Sequence, residues 1–497
     1  MNRNHTMLQF FEWHVPNHGK HWEDLAIMAH EFSVHGIDTV WIPPACKGMT
    51  QADNGYGVYD HFDLGEFDQK GTVRTKYGTR KELLHAMDVC RKENIQVIAD
   101  VVMNHKAGAD DTEHFEVVEV DPENRHEVIS EPFEIEGWTR FNFKGRKKQY
   151  SPFQWDYHHF NGTDYDASED RTGIFRILGD GKDWNDHVDD EFGNYDYLMF
   201  ANIDYQHPNV QEEMIHWGTW FAKTLGCQGY RLDAIKHINA AYVSRFVHAM
   251  KESFGEDFYF VGEFWNPDLE AKQRFLDQTD FTIHLFDVAL HYRFHQASIE
   301  GRDFDLRTLY EGTLVATHPT HAVTFVDNHD SQPGESLESW VGDWFKPLAY
   351  ALILLREDGF PCVFFGDYFG IRGDDPIPSK KELIDPLLDA RYYLAYGEQE
   401  DYFDHANTVG WVRHGVESFD GSGCAVVIST GDDGFKDMKV RDTHAGSTWI
   451  DVTGNRDDEV VIEEDGTGRF PVNGGSVSVW ALKSYGLKRK EAVEERR

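Results

Sequence analysis

Short apolar runs alternate with amphipathic stretches along most of the 497-residue chain. The runs at 7–13, 39–42, 97–102, 229–232, 258–261, 281–286, 322–326 and 362–365 read as strands, bounded by turn residues. Between several of them lie segments with helical amphipathicity, such as 80–93, 210–225 and 240–254. Strand then helix, repeated to about eight strands, is the pattern of an α/β fold closed into a (β/α)8 barrel.

Two intervals break this rhythm. From 104 to 207 the chain is rich in Asp, Gly, aromatic and turn residues, which predicts an irregular β-rich insertion after the third strand. From 397 the helical pattern stops. Runs such as 424–429 and 477–482, set between Gly- and Asp-rich turns, predict a C-terminal antiparallel β-sandwich over 397–486. The barrel is then expected in two parts, 1–103 and 208–396, with a charged tail at 487–497.

Composition narrows the class. Acidic residues (87) outnumber basic ones (48), a formal charge of −39. Such a surface repels phosphate backbones and anionic headgroups, so neither nucleic acid nor a membrane is the expected partner. It suits either a salt-tolerant protein or an ordinary acidic enzyme. The five cysteines, Cys46, Cys90, Cys227, Cys362 and Cys424, are scattered without a CxxC and suggest neither disulfides nor zinc. The N-terminus lacks a secretory apolar core and no long apolar run follows. A cytoplasmic location is expected, and the sequon at Asn161 carries no meaning there. Aromatic residues reach 14%, enough to supply both a core and flat rings for stacking on sugars.

Four strand candidates end in polar clusters: DVVMNH (100–105), GYRLDAIKH (229–237), FVGEFW (260–265) and FVDNHD (325–330). In a parallel barrel the C-terminal strand ends share one face, where active sites lie. The clusters therefore converge, bringing Asp233, Glu263 and Asp330 together. Glycoside hydrolysis needs such a set, one carboxylate attacking or activating water and another protonating the leaving oxygen. Arg231 is placed to keep Asp233 ionised. Phe264 and Trp265 are placed to desolvate Glu263 and raise its pKa. A single acid at a strand end is more often a salt bridge or a cap; three in one layout point to chemistry.

These clusters resemble the conserved regions of the α-amylase family of glycoside hydrolases, nearest to the bacterial liquefying enzymes and their intracellular relatives. Further agreement comes from FFEWHVPNHGKHW, VWIPPACKG, QADNGYGVYDHFDLGEF, GTVRTKYGT, GNYDYLMFANIDYQHP, DWFKPLAYA and NGGSVSVWAL. The resemblance implies Asp233 as nucleophile, Glu263 as general acid/base and Asp330 as the carboxylate that binds and distorts the sugar. It implies retention through a covalent glycosyl-enzyme. His105, Arg231 and His329 match polar residues around the cleaved sugar, and Tyr56 matches a ring that stacks on it. Lys236 and His237 match the pair on the leaving-group side. Trp265 is expected in the groove and Trp13 in the core.

The resemblance also implies a metal position formed by Asn104, Asp196, Asn202 and the carbonyl of His237, where the family has Asp in place of Asn202. Carboxylates of a neighbouring metal cluster match Asn161, Asn185, Asp204 and Gln206, three of them neutral here. Calcium affinity falls as carboxylates become amides. Calcium is therefore expected to be weak or dispensable, with Na⁺ able to substitute.

The expected function is retaining, endo-acting hydrolysis of α-1,4-glucosidic bonds in starch, glycogen or maltodextrins by a monomer. A 4-α-glucanotransferase and a non-catalytic glycan-binding relative remain as alternatives. A metal-dependent barrel hydrolase built on His105, His237 and His329 fits the surrounding motifs poorly.

Overall fold

Eight short strands close on themselves. They are β1 (Met7–Gln9), β2 (Thr39–Ile42), β3 (Gln96–Val101), β4 (Gly229–Leu232), β5 (Tyr259–Gly262), β6 (His284–Phe286), β7 (Ala322–Phe325) and β8 (Phe360–Phe364). Each pairs in parallel with the next, and β8 returns to β1 with Met7 opposite Cys362. The strands are almost wholly buried, which accounts for their apolar runs. The structure is a computed structural model and describes residues 4–485. The tail expected at 487–497 lies outside the described residues.

Helices surround the barrel, and local chemistry sets their ends. Thr79 and Glu82 form a reciprocal capping box at the start of Arg80–Lys92. Pro208 opens Pro208–Leu225, and Gly226 closes it at φ +64°, a left-handed conformation that glycine adopts without strain. The last barrel helix, Lys381–Tyr393, reaches back to the N-terminus: Arg391 donates to the carbonyls of His5 and Leu354.

Two strand boundaries differ from the sequence reading by three residues or more, and the other differences are of one or two. The first strand stops at Gln9, and the chain turns at Trp13 and His14. The sixth begins at His284, because Asp280 and Phe281 sit at φ +51° and +53°, outside the extended region.

Between β3 and β4 the chain builds an antiparallel sheet from Asp111–Asp121, Asn124–Val128, Phe133–Arg140, Phe160–Asp166, Arg171–Ile177 and Ala201–Ile203. The sheet is stitched to the barrel just past β3, where Asn202 pairs with His105 and Ala201 with Lys106. At the C-terminal end, a six-stranded antiparallel sheet includes Thr408–Arg413, Cys424–Ser429 and Ser476–Leu482. It encloses Trp449, Phe470 and Trp480 against the ribbon of Gly434–Lys439 and Thr467–Val472. All five cysteines are free and buried.

Candidate active site

The centre is organised by one guanidinium. Arg231 lies on β4 directly opposite Asp100 on β3 and is fully buried. Its Nη1 donates to Asp100 (3.0 and 3.2 Å) and to Asp233 Oδ1 (2.6 Å), and its Nη2 donates to Glu263 Oε2 (3.0 Å). Three carboxylates from three strand ends thus share one cation. A buried charge is tolerable only with such compensation. Burial alone works against the charge on Arg231, but Asp100, Tyr56, Asp233 and Glu263 outweigh it and hold the arginine protonated.

The same arrangement sets the protonation of Glu263. Burial raises Glu263 to about 7; Arg231 pulls it down and the charge of Asp233 pushes it up. Glu263 also accepts the Ala234 N–H at 2.8 Å. Ala234 stands at φ +49°, a conformation that costs an alanine roughly 1–2 kcal/mol and here aims its N–H at the carboxylate. Asp330 is raised well above the ordinary carboxylate range by burial, and further by Glu263 and Asp233.

His329 lies beside Asp330, with Nε2 3.3 Å from Oδ2, while Gln9 faces its Nδ1 at 2.9 Å. Burial and Arg231 hold the imidazole neutral, well below its usual pKa. Its ring is stacked with those of Tyr56 (5.1 Å) and Trp13 (5.9 Å). Trp13, expected in the core, is half-buried and lies parallel to Tyr56 at the mouth. Trp265 is as buried as its neighbour Glu263. It is 8% exposed, packs against His291 and Phe325, and donates from Nε1 to the Tyr292 hydroxyl. Composition alone does not reveal which way a ring turns.

The remaining residues flank this centre. Tyr56 donates its hydroxyl to Asp100 (2.9 Å), as does Trp41 Nε1 (3.0 Å). His105 Nε2 faces the Tyr56 carbonyl at 2.8 Å, and its ring is 5.6 Å from that of Phe200. Phe200 in turn lines a cavity of about 800 Å³ on the inserted sheet, with Met49, Gly108, Trp138 and Tyr165. Past β4, Lys236 Nζ pairs with Glu191 (2.8 Å) and His237 Nδ1 faces the Tyr195 carbonyl (2.7 Å). The residues that sequence reasoning left without a role are Asp100, Gln9, Asp189 and Glu191. Asp100 had a signal, as the lone acid opening the DVVMNH cluster; the others had none.

The metal-position residues also converge, with their amides donating to the carboxylate and to carbonyls. Asp196 is buried and its carboxylate receives the Asn161 side chain (2.6 Å), the Asn185 side chain (3.0 Å to each oxygen) and the Asn185 N–H (2.8 Å). Asn104 Nδ2 faces the carbonyls of His237 (3.2 Å) and Asp196 (3.4 Å). Asn202 Nδ2 donates to Asn161 (2.8 Å), and the ammonium of Lys182 lies 3.2 Å from Asp204. Buried oxygens of Asn185 and Asn202 lack partners. Calcium favours six to eight oxygens with several carboxylates. Here one buried carboxylate is already saturated by N–H groups, and the second is held by a lysine. The donor set is poor in negative charge for a divalent ion, while the unpartnered oxygens of Asn185 and Asn202 are acceptors that a cation can use. Asn161 itself is fully buried, so its sequon is closed to modification in the folded chain.

A parallel barrel whose strand ends gather three carboxylates around an arginine is the architecture of barrel glycoside hydrolases. The comparisons narrow this. Residues 33–387 match the family "Alpha amylase, catalytic domain", and residues 426–481 match "Alpha-amylase C-terminal". The chain is 52% identical over 484 residues to an α-amylase of Bacillus licheniformis, covering 97% of this chain and 94% of that one. It is 45% identical to the cytoplasmic α-amylase of Escherichia coli (strain K12), covering 97% and 99%. A solved α-amylase from Geobacillus thermoleovorans, complexed with acarbose, shares the fold at a TM-score of 0.65 and 17% identity, covering 97% and 98%. The chain belongs to the α-amylase family.

Proposed function

We propose that Asp233 is the nucleophile, Glu263 the general acid/base and Asp330 the residue that grips the sugar in an endo-acting hydrolysis of α-1,4-glucosidic bonds. The observation that carries this reading is the shared guanidinium. It holds Asp233 and Glu263 on adjacent nitrogens, facing the same space, with Glu263 raised to about 7. At neutral pH a large fraction of Glu263 is protonated and able to donate to the leaving oxygen. The Asp233 carboxylate attacks the anomeric carbon as that bond breaks. Glu263, now ionised, takes a proton from water, which attacks the same carbon and releases Asp233. Asp330 and neutral His329 supply hydrogen bonds to the sugar, and Tyr56 supplies a stacking face.

The substrate is an α-glucan such as starch, glycogen or a maltodextrin. We read the protein as a monomer and place it in the cytoplasm, the location that the name of the E. coli relative gives for that enzyme. The acid-rich surface argues against nucleic acid. No helix among the described residues is long and apolar enough to cross a membrane. Calcium we take to be dispensable, with Na⁺ able to occupy the amide-lined position, because the amides already fill the place of a divalent charge. A reducing-sugar assay on soluble starch tests the chemistry. Asp233→Asn is expected to lose activity by three orders of magnitude or more, on the order expected for an attacking group. Retained activity refutes the nucleophile assignment.

A further inference from the structure

Segment 186–195 of the inserted module is fastened across the residues that follow β4 and β5. The carbonyls of Asp186 and His187 accept from Asn239 Nδ2 (2.7 Å) and the Ala240 N–H (3.0 Å). The Asp189 N–H donates to the Lys236 carbonyl (2.8 Å), and its Oδ2 accepts from Asn266 Nδ2 (3.1 Å), three residues beyond Glu263. Asp189 is itself braced: its Oδ1 takes the Glu191 N–H (2.9 Å) and its carbonyl takes the Tyr195 N–H (2.9 Å). On this frame Glu191 reaches over the residues that follow β4, with its side chain 45% exposed and Oε2 2.8 Å from Lys236 Nζ. The Tyr195 ring, from the same segment, lies 4.8 Å from that ammonium.

We propose that Glu191 is a specificity-determining residue: it fixes the Lys236 ammonium so that the leaving-group side of the centre recognises sugar. This rests on the reading of Lys236 as a residue of that side. A lysine on its four-carbon stem has many rotamers, and ordering it only when substrate arrives weakens binding. Glu191 and Tyr195 order it beforehand. One ammonium N–H is used by Glu191, and two remain for hydroxyl groups. The second oxygen of Glu191 remains as an acceptor. A sugar hydroxyl both donates and accepts, so the pair is a better partner for it than either charge alone. The inserted module thereby contributes to substrate choice without touching the cleaved bond.

The test compares two substrates in Glu191→Ala: maltoheptaose, which places sugar on the leaving side, and a nitrophenyl maltotrioside, whose leaving group is a phenol. The ratio of their kcat/KM values, heptaose over trioside, is expected to fall about threefold, the scale of a partly exposed ion pair. The loss should lie mainly in KM for the heptaose. Glu191→Gln, which keeps the shape without the charge, should fall between. In a Lys236→Ala background, Glu191→Ala should leave the ratio where Lys236→Ala alone sets it. An equal fall on both substrates, an unchanged ratio, or an undiminished effect in the Lys236→Ala background overturns the proposal. If Lys236→Ala alone leaves the ratio at the wild-type value, the underlying assignment of Lys236 fails, a distinct result.

Discussion

Asp100→Asn probes the electrostatics of the centre without touching a residue that meets the scissile bond. Asp100 is buried, accepts from Arg231, Trp41 and Tyr56, and is itself raised to about 6, chiefly by burial. Its negative charge is one of the groups that raise Glu263. Amidation acts on Glu263 in two ways with the same sign. It removes a repelling charge, and it frees Arg231 to attract the Glu263 carboxylate more strongly. At an effective dielectric of about 20, unit charges about 8 Å apart interact by roughly 2 kcal/mol, some 1.5 pK units. Residual solvent screening at the open groove reduces this to a drop of about one unit. Glu263 must be protonated to act as acid, so the alkaline limb of kcat/KM should move from near pH 7 in the wild type to about pH 6 in the variant. Its maximal kcat/KM should also fall by about tenfold or more, for the loss of a charge-assisted hydrogen bond to Arg231. Profiles on a chromogenic maltotrioside from about pH 4.5 to 9 measure both. An alkaline limb that stays in place, or moves upward, refutes the reasoning.

Two further expectations concern stability. Lys346 is buried between Asp327 and Asp367; Lys346→Met strands both carboxylates and should cost about 3–5 kcal/mol in urea unfolding at pH 8. Asp327 is raised to about 7, largely by burial, so the wild-type protein already loses stability as pH rises through that value, and the variant should recover part of its loss as pH falls below it. Removing divalent ions with a chelator should leave the wild-type Tm unchanged. Asn161→Asp with Asn202→Asp crowds three carboxylates around Asp196's position, so Tm should fall without metal and rise again with calcium. A chelator-sensitive wild type would overturn the account of the amide-filled site.

Most of the barrel was legible because its strands are buried on both faces, and such strands are written as unbroken apolar runs. Asp233, Glu263 and Asp330 were legible because each breaks such a run at its C-terminal end. Asp100 also ends a buried strand, yet its role appears only once β3 is set beside β4 and the register brings it opposite Arg231. Asp189 and Glu191 lie in a segment without periodicity, where nothing local reports a neighbour some 45 residues away. The placement of Trp13 at the mouth has the same origin: only the turn after β1 lays it over Tyr56. Phe281 looked like strand because it is apolar; its backbone conformation removes it.

The pairing of Met7 with Cys362 has a consequence during synthesis. Until some 350 further residues have left the ribosome, one side of the first strand has no neighbour. At about 5–20 residues per second, that interval is roughly 20–70 s. The nascent chain must keep this exposed backbone from recruiting a stranger, and a polypeptide truncated before the eighth strand would carry Asp233, Glu263 and Asp330 without the seam that keeps the wall beneath them shut.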